Sequence, residues 1–296
     1  MSKRVSIVRL SVGHFFSKWL LYPLCYYLIR YRRKVVRENL LMAFPEKSPK
    51  EICRIEKDFY LAFSDMIVEM LIGRHFSEAD MRRFVVINNK EEASECCKRY
   101  GGGFFMLGHF LNWEWMVDYA NQFADYGIEC GTVYKRLTNS FFDHLMHRLR
   151  SRRGGFLVEM NQLLRVMVAR RKDPDAVPTG YAMLADQRPR RNGTQYRTAF
   201  FDRNVGFMTG TEQLAQRFCY PVYYARYRCL GRGRYEMTLV LIYDPDTDTC
   251  LPHGIVTERF VRLLEEDIRK EPSRWLWSHR RFAGSTPVDS ISADKR

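Results

Sequence analysis

A histidine and a glutamate separated by four residues form the pattern in this sequence with the clearest chemical use. They are His109 and Glu114 in the string GHFLNWE. A neutral imidazole takes a proton from an attacking hydroxyl, and a carboxylate beside it fixes the tautomer and stabilises the imidazolium that forms. On one continuous helix the two side chains would point about 140° apart, so a turn must bring them together. Taken alone, the pattern favours a structural contact between the two side chains.

The residues around this pair predict a strand, a turn and a helix. An apolar run at residues 104–107 follows three glycines and predicts a strand that carries His109 at its carboxyl end. Asn112 is a good N-cap, which predicts a helix at residues 113–123 with Glu114 in its first turn. Parallel α/β sheets place their active sites at the carboxyl ends of strands, which is where this interpretation puts the histidine.

The rest of the chain alternates between strand-like and helix-like segments. Further strands are predicted at residues 129–134, 155–158, 180–185, 222–227 and 235–242, and helices at 49–72, 140–152, 162–171, 211–218 and 257–270. Such alternation indicates an α/β fold with a mostly parallel central sheet flanked by helices.

Composition narrows the class of partner. The chain carries 48 Lys and Arg against 34 Asp and Glu, a net charge of +14, which favours an anionic partner. No helix-turn-helix, zinc-finger or ribonucleoprotein signature is present, so we expect no nucleic acid partner. None of the eight cysteines forms a CxxC pair, which indicates a reducing compartment. His144 and His147 have no third ligand at suitable spacing, so no metal site is expected.

The first 40 residues combine aromatic and basic side chains. They hold nine Lys and Arg against one acid, a local charge of +8, and residues 5–31 are rich in Trp, Tyr, Phe and Leu. No window has the 20 or so nearly uncharged residues that a spanning helix needs, whereas this mixture suits a helix lying in a membrane interface. A buried amphipathic helix with a solvated basic turn is the alternative. We therefore expect a membrane-associating segment at 1–40, a main domain at 41–282 and a disordered tail at 283–296.

Several stretches, taken together, resemble the bacterial lipid A biosynthesis acyltransferases, the lauroyl and myristoyl transferase group of the lysophospholipid acyltransferase superfamily. The resemblance covers residues 5–282 and is most specific in three motifs: H-x4-E, an Asp-Gln pair, and Pro-x-x-Trp-x-Trp-x-His-Arg-Arg. In the order of the family, the matching stretches are residues 32–48, 59–71, 107–115, 133–155, 184–215 and 268–282.

This resemblance implies a fold of the glycerolipid-acyltransferase type and an enzyme at the cytoplasmic face of the bacterial inner membrane. Its expected reaction moves a fatty acyl chain from acyl carrier protein to a hydroxyl of a lipid A precursor. His109 is then the general base and Glu114 its orienting carboxylate. No cofactor is expected, because the thioester of the co-substrate is already activated. A lysophospholipid or a lyso-aminolipid is the alternative acceptor, and coenzyme A the alternative donor.

The remaining expected site residues bind substrate. Arg150, and after it Arg136, are candidates for stabilising the oxyanion or binding the phosphates that lipid A precursors carry, since arginine gives bidentate phosphate contacts. Asp186 and Gln187 are expected at the acceptor site. A basic loop follows, in which we expect the next arginine, Arg188, to face phosphate or the acidic carrier together with two further arginines, at positions 190 and 191. The Trp-rich closing segment at 275–282 is expected to be structural and interfacial.

Overall fold

A curved seven-stranded sheet flanked by helices forms the centre of the molecule. The computed structural model describes residues 3–110, 112–136, 139–150, 154–189 and 195–288. The helices are α1 (Lys3–Phe16), α2 (Arg33–Ala43), α3 (Pro49–Gly73), α4 (Glu78–Phe84), α5 (Lys90–Tyr100), α6 (Tyr119–Ala124), α7 (Ser140–Arg150), α8 (Leu163–Lys172), α9 (Gly210–Phe218) and α10 (Ile255–Lys270). The strands are β1 (Val85–Ile87), β2 (Gly102–Leu107), β3 (Glu129–Tyr134), β4 (Phe156–Glu159), β5 (Thr179–Leu184), β6 (Gln195–Phe200), β7 (Arg203–Met208), β8 (Val222–Gly231), β9 (Arg234–Tyr243) and β10 (Thr286–Pro287).

The strand order in the large sheet is β1-β9-β8-β2-β5-β3-β4. The strands β8, β2, β5, β3 and β4 run parallel, while β9 is antiparallel to β8 and β1 is parallel to β9. All six residues of β2 are buried, as expected for a central strand covered on both faces. The predicted α/β fold with a mostly parallel sheet flanked by helices is confirmed.

Local sequence signals explain the best-predicted elements. Helix α3 begins at Pro49 after Ser48, whose hydroxyl accepts from the backbone N–H of Glu51 while the Glu51 carboxylate accepts from the backbone N–H of Ser48. This reciprocal capping satisfies two backbone donors at the helix start. The predicted strands and helices from residue 129 onward are found, with ends that agree or differ by at most four residues.

The predicted helix at 113–123 is wrong over its first half. The chain instead makes a tight turn, a 3₁₀ turn at Trp115–Asp118 and then the short helix α6. Asn112 still acts as a cap, since its side-chain oxygen accepts from the backbone N–H of Trp115 at 3.2 Å. The indole of Trp115 donates to the backbone oxygen of Glu69 in α3, so tertiary contacts hold this segment in a tighter conformation than its sequence favours.

A second, three-stranded antiparallel sheet of order β10-β7-β6 was not predicted. Its β6–β7 hairpin turns through Phe201 and Asp202, both with positive φ near 54°, which matches the primed turns that two-residue hairpins prefer. Of the tail expected to be disordered, at 283–296, the structure describes residues 283–288, in which Thr286 and Pro287 pair with β7. Residues 289–296 lie outside the described ranges.

The N-terminal segment lies against α3. It consists of α1 and two π-helical turns, Ser17–Leu21 and Leu24–Leu28. Buried polar contacts fix α1, including those from His14 to Glu69 at 2.7 Å. The opposite side presents large apolar side chains that are at least 39% exposed: Val5, Ile7, Val8, Val12, Phe15, Phe16, Trp19, Leu20, Tyr27, Leu28, Ile29 and Tyr31. In the ranges that the structure describes, no helix is long and apolar enough to cross a bilayer.

Candidate active site

Two neighbouring parallel strands bring the central residues of the site together. Leu107 at the end of β2 lies opposite Leu184 at the end of β5, and His109 and Asp186 each follow two residues later. Gly108 is required between strand and histidine, since a Cβ there would lie 2.5 Å from a methyl carbon of Leu264 in α10. The register of the sheet therefore places the imidazole beside the carboxylate at the carboxyl ends of the strands.

Asp186 is the carboxylate that holds His109. Its Oδ1 lies 2.6 Å from Nδ1 of His109, and its Oδ2 accepts from the backbone N–H of His109 and from the indole N–H of Trp275. Burial favours the neutral acid, but the neighbouring histidine and these hydrogen bonds lower the pKa of Asp186 to about 2. An ionised Asp186 can only accept, so it selects the tautomer with hydrogen on Nδ1 and leaves Nε2 as the basic nitrogen.

Glu114 is the carboxylate expected beside His109, but its hydrogen bonds in the structure join it to other side chains. Glu114 receives a bidentate pair from Arg150, at 3.0 Å from Nε and 2.7 Å from Nη2, and a hydrogen bond from the indole of Trp113. That indole packs edge-on against the imidazole, with ring centroids 5.1 Å apart. The turn after β2 thus directs Glu114 toward α7, where a guanidinium matches its two oxygens, while β5 supplies the carboxylate for His109.

Arg150 is largely buried and remains charged. Burial opposes its charge, but Glu114 outweighs that effect and raises the pKa of Arg150 above its ordinary value. The role expected for Arg150, in stabilising the oxyanion or binding phosphate, stays a prediction. The pair is bidentate and shielded from water, the arrangement in which arginine is held most firmly.

The side chain of Gln187 lies over the other nitrogen of His109. Its Nε2 is 3.1 Å from Nε2 of His109. Because Asp186 accepts from Nδ1, the free lone pair of Nε2 accepts this amide hydrogen. Gln187 therefore occupies the position that a substrate hydroxyl would need in order to donate to the imidazole.

The side chains of the other predicted binding arginines form no hydrogen bond with His109 among the described residues. Arg136 is mostly exposed, with Nε 3.7 Å from Asp143 and 3.6 Å from Glu159. Arg188 is exposed, and its backbone N–H donates to Nε2 of His279. The arginines predicted at positions 190 and 191 lie outside the described residues.

A buried glutamate fixes the turn that follows His109. Glu69 is fully buried, and its carboxylate accepts from Asn112 at 2.8 Å, from Tyr235 at 2.5 Å and lies 2.7 Å from His14. One carboxylate therefore connects α1, α3, β9 and the turn. No local pattern pointed to Glu69, because its partners are distant in the chain.

The closing segment contributes directly to the site. The backbone N–H of Leu276 donates to the oxygen of His109 at 3.0 Å, and Phe110 forms a single β-bridge with Trp275. Trp275 was expected to be structural, and its hydrogen bond to Asp186 was missed. The Trp-x-Trp-x-His-Arg-Arg motif was the available signal for it.

An apolar cavity opens beside these residues. The space between its lining residues, part of which is open to solvent, is about 570 Å³. Trp113, Glu114 and Arg150 line its polar end. The remaining walls come mainly from strands of the large sheet and from residues 116–123. Among the apolar lining residues are Phe105, Leu107, Met116, Phe123, Ala182 and Leu184. A hydrocarbon chain fits such a wall, with its reactive end at the charged pair.

Within the described ranges, no group of three or more His, Cys, Asp or Glu side chains has the arrangement of a metal site. The candidate site consists of the His109 imidazole between a carboxylate and an amide, and beside it lies an apolar cavity with an ion pair at one end.

Comparison with known proteins identifies the family of this chain. The family model for bacterial lipid A biosynthesis acyltransferases matches residues 10–283. No individual curated protein matches the sequence significantly. The family match spans nearly the whole chain, including both large sheet strands that carry the site. The chain therefore belongs to the bacterial lipid A biosynthesis acyltransferase family, whose members are acyltransferases of lipid A synthesis.

Proposed function

We propose that this enzyme transfers a fatty acyl group from the thioester of acyl carrier protein to a hydroxyl of a lipid A precursor. We further propose that it works at the cytoplasmic face of the bacterial inner membrane. The observation that carries the proposal is the position of His109, which is held by buried Asp186 and packs against Trp113, a residue that lines an apolar cavity.

In the proposed step, His109 acts as general base. Its Nε2 takes the proton of the acceptor hydroxyl, after the hydroxyl has displaced the amide of Gln187. The hydroxyl oxygen then attacks the thioester carbonyl, and Asp186 stabilises the imidazolium. When the tetrahedral intermediate collapses, the C–S bond breaks and the thiolate takes the proton back from His109. The step uses no cofactor and no acyl-enzyme, because the thioester is already activated.

The oxyanion of the intermediate needs hydrogen-bond donors or positive charge. Arg150 at the polar end of the cavity is the proposed side chain, and Glu114 holds it in place by two hydrogen bonds. Backbone N–H groups near Asn112 and Trp113 are the proposed additional donors. Loss of one such donor typically costs about 2.7–4 kcal/mol of transition-state stabilisation.

The proposed donor is the acidic carrier protein rather than coenzyme A. The net charge of +14 and exposed arginines such as Arg136 and Arg188 support an acidic protein partner. Attachment to the membrane surface is supported by the exposed apolar side chains of the N-terminal segment.

Purified protein tests the reaction directly. We expect acyl transfer from acyl carrier protein, loaded with a long acyl chain, to a tetra-acylated lipid A precursor, followed by mass spectrometry. Lysophosphatidic acid and a lyso-aminolipid, assayed in parallel, should be poorer acceptors, and acyl-coenzyme A a poorer donor. Preference for either lyso-lipid would contradict the proposed acceptor.

The same assay tests the base. His109→Ala should lower kcat by about 10²–10⁴-fold, the usual contribution of a general base. The matched control is His144→Ala, which changes an exposed histidine of α7 whose Nδ1 donates to the backbone oxygen of Ser140 and should leave kcat unchanged. Normal transfer by His109→Ala would refute the mechanism.

A further inference from the structure

A buried arginine close to the site has hydrogen-bond donors without partners. Arg281 is 1% exposed, and its Nη2 donates to the backbone oxygen of Gly206 at 2.8 Å. Its guanidinium also lies over the ring of Phe207, 4.0 Å from the centroid. Within the described residues, its Nε and Nη1 are buried and have no hydrogen-bond partner. Buried donors are nearly always satisfied in folded proteins, so these two indicate a missing acceptor.

The charge of Arg281 is equally unmatched. In the described ranges it forms no ion pair, and the nearby Asp186 is occupied by His109 and Trp275. Burial, with contributions from Arg188 and Arg197, lowers the pKa of Arg281 to about 9 although Asp186 acts in the opposite direction. At neutral pH the side chain is still charged, so the fold carries an uncompensated buried cation.

Two surface arginines surround this buried one. Arg197 in β6 lies opposite Gly206 in β7, and its Nη1 is 3.9 Å from the place that a Cβ on Gly206 would occupy. The same Gly206 supplies the carbonyl that Arg281 binds. Arg188 directly follows Gln187, the residue over His109. Arg197 donates to Asn204 from Nε and Nη2, but neither Arg188 nor Arg197 forms an ion pair among the described residues, so no carboxylate there neutralises their charges.

The histidine beside them does not supply a compensating charge. Burial, together with Arg281 and Arg32, lowers the pKa of His279 to about 4, against the opposing effect of Asp186. Its ring is therefore neutral at pH 7, which allows Nε2 to accept the backbone N–H of Arg188. The neutral His279 ring thus holds the backbone of Arg188 in place and leaves the local positive potential unchanged.

We propose that Arg281, with Arg188 and Arg197 at the surface, forms an anion-binding site for a phosphate ester on a substrate of the acyl transfer. Three guanidinium groups around one small hairpin suit a phosphate, which accepts several charge-assisted hydrogen bonds. The phosphate belongs either to the headgroup of the lipid acceptor or to the phosphopantetheine arm of the carrier. Because Nε and Nη1 of Arg281 are buried, the phosphate reaches them only after neighbouring side chains move, and its charge stabilises that opened state.

This inference rests on the proposed function for the identity of the substrates. Anion binding itself is measured by thermal unfolding, which needs no assay of acyl transfer. Inorganic phosphate should raise the thermal midpoint of the native enzyme, and Arg281→Met should abolish that shift. Methionine keeps apolar contact with Phe207 and removes an unpaired buried charge, so Arg281→Met should be at least as stable as the native enzyme without phosphate. A purely structural arginine would instead lose stability on substitution.

The control is Arg269→Met. Arg269 also lies over a phenylalanine, Phe201, at 4.6 Å, but it pairs with Glu265. This control should keep the shift with phosphate. If Arg281→Met fails to fold, the double substitution Arg188→Ala with Arg197→Ala should remove the shift. A full shift in either test variant, or none in the native enzyme, would overturn the proposal.

Kinetics identify the source of the phosphate. If it is the acceptor headgroup, Arg281→Met should raise KM for a phosphorylated acceptor about tenfold or more and leave KM for the dephosphorylated acceptor unchanged. If it is the carrier arm, KM should rise for acyl carrier protein but not for an acyl thioester of N-acetylcysteamine, which has no phosphate. Unchanged KM values for all four substrates would overturn the proposal even if acyl transfer itself is confirmed.

Discussion

At the scale of single residues, the hydrogen-bond partners of its two ring nitrogens set the tautomer of His109 and mark its substrate-facing side in our proposal. Asp186 accepts from Nδ1 at 2.6 Å, and the amide of Gln187 donates to Nε2 at 3.1 Å. The first contact fixes a tautomer in which Nε2 is basic, and the second marks where a hydroxyl would bind. Glu114 acts on a different side chain, Arg150, so the two acids have separate roles in our proposal.

Replacing each acid by its amide separates these roles. Asp186→Asn should lower kcat by about 10⁴-fold, because an amide can hold the wrong tautomer of His109. Glu114→Gln, the matched change, should weaken the hold on Arg150 but leave the pH dependence that His109 gives to kcat/KM unchanged. Steady-state kinetics across pH provide the measurement. A larger loss for Glu114→Gln, together with a changed pH profile, would restore Glu114 as the partner of His109.

At the scale of elements, the turn after β2 is positioned by α3 and not by its own helix propensity. Asn112 donates to buried Glu69 and caps the following turn through the N–H of Trp115. Asn112 and Trp115 lie three and six residues after His109. The register of β2 with β5 places His109 beside Asp186, and the hydrogen bond from Asn112 to Glu69 holds the turn that follows His109.

Asn112→Ala should therefore affect catalysis as well as folding. We expect it to lower the free energy of unfolding by about 1–3 kcal/mol, because a buried acceptor loses its donor. It should also lower kcat, since Trp113 and Glu114 follow directly. Ser77→Ala removes a cap of α4 away from the site and should cost about 1 kcal/mol without changing kcat. Denaturant unfolding and kinetics should be measured on both variants, and equal kcat values would contradict this role of Asn112.

The strands also set the depth of the cavity. Ala182 in β5 pairs with Phe105 in β2, two residues before the strand ends, which is about 7 Å deeper than Leu184. Ala182→Phe should therefore shift the preference of the enzyme toward shorter acyl chains. Competition among acyl carrier proteins that carry chains of different length measures the shift. The exposed control Leu230→Phe should not alter the preference, and an unaltered profile for Ala182→Phe would exclude this cavity as the acyl site.

At the scale of the whole molecule, α1 and the two π-helical turns present apolar side chains outward while polar contacts hold α1 to the body. Ser17 bonds Asp65 at 2.5 Å, and Arg232 pairs with Asp65 at 2.6 Å. The exposed apolar surface is therefore carried by a segment fixed to α3 and to the β8–β9 hairpin. We propose that this surface enters the lipid headgroup layer, with the active site held at a constant distance from it.

Three substitutions test the membrane surface. Phe15→Ser, Trp19→Ser and Leu28→Ser together should weaken binding to anionic vesicles strongly, since each side chain contributes about 1 kcal/mol or more when buried in lipid. Activity toward substrates in detergent micelles should be retained. The control is Leu164→Ser with Val177→Ser, two exposed apolar residues elsewhere on the surface. Vesicle sedimentation gives the measurement, and undiminished binding of the triple variant would refute this surface.

Sequence patterns alone were enough to predict the α/β class, most elements from residue 129 onward and the position of His109 after the end of a central strand. Those features depend on local patterns: apolar runs, helical spacing, caps and a specific motif. The sequence did not determine which carboxylate holds the imidazole, because Asp186 is 77 residues away in the chain and only the register of β2 with β5 brings it near. The turn after His109 likewise depends on Glu69, and the unsatisfied donors of Arg281 exist only once the hairpin and closing segment have packed. Tertiary structure decided these points, since they concern contacts between residues whose separation in sequence carries no local signal.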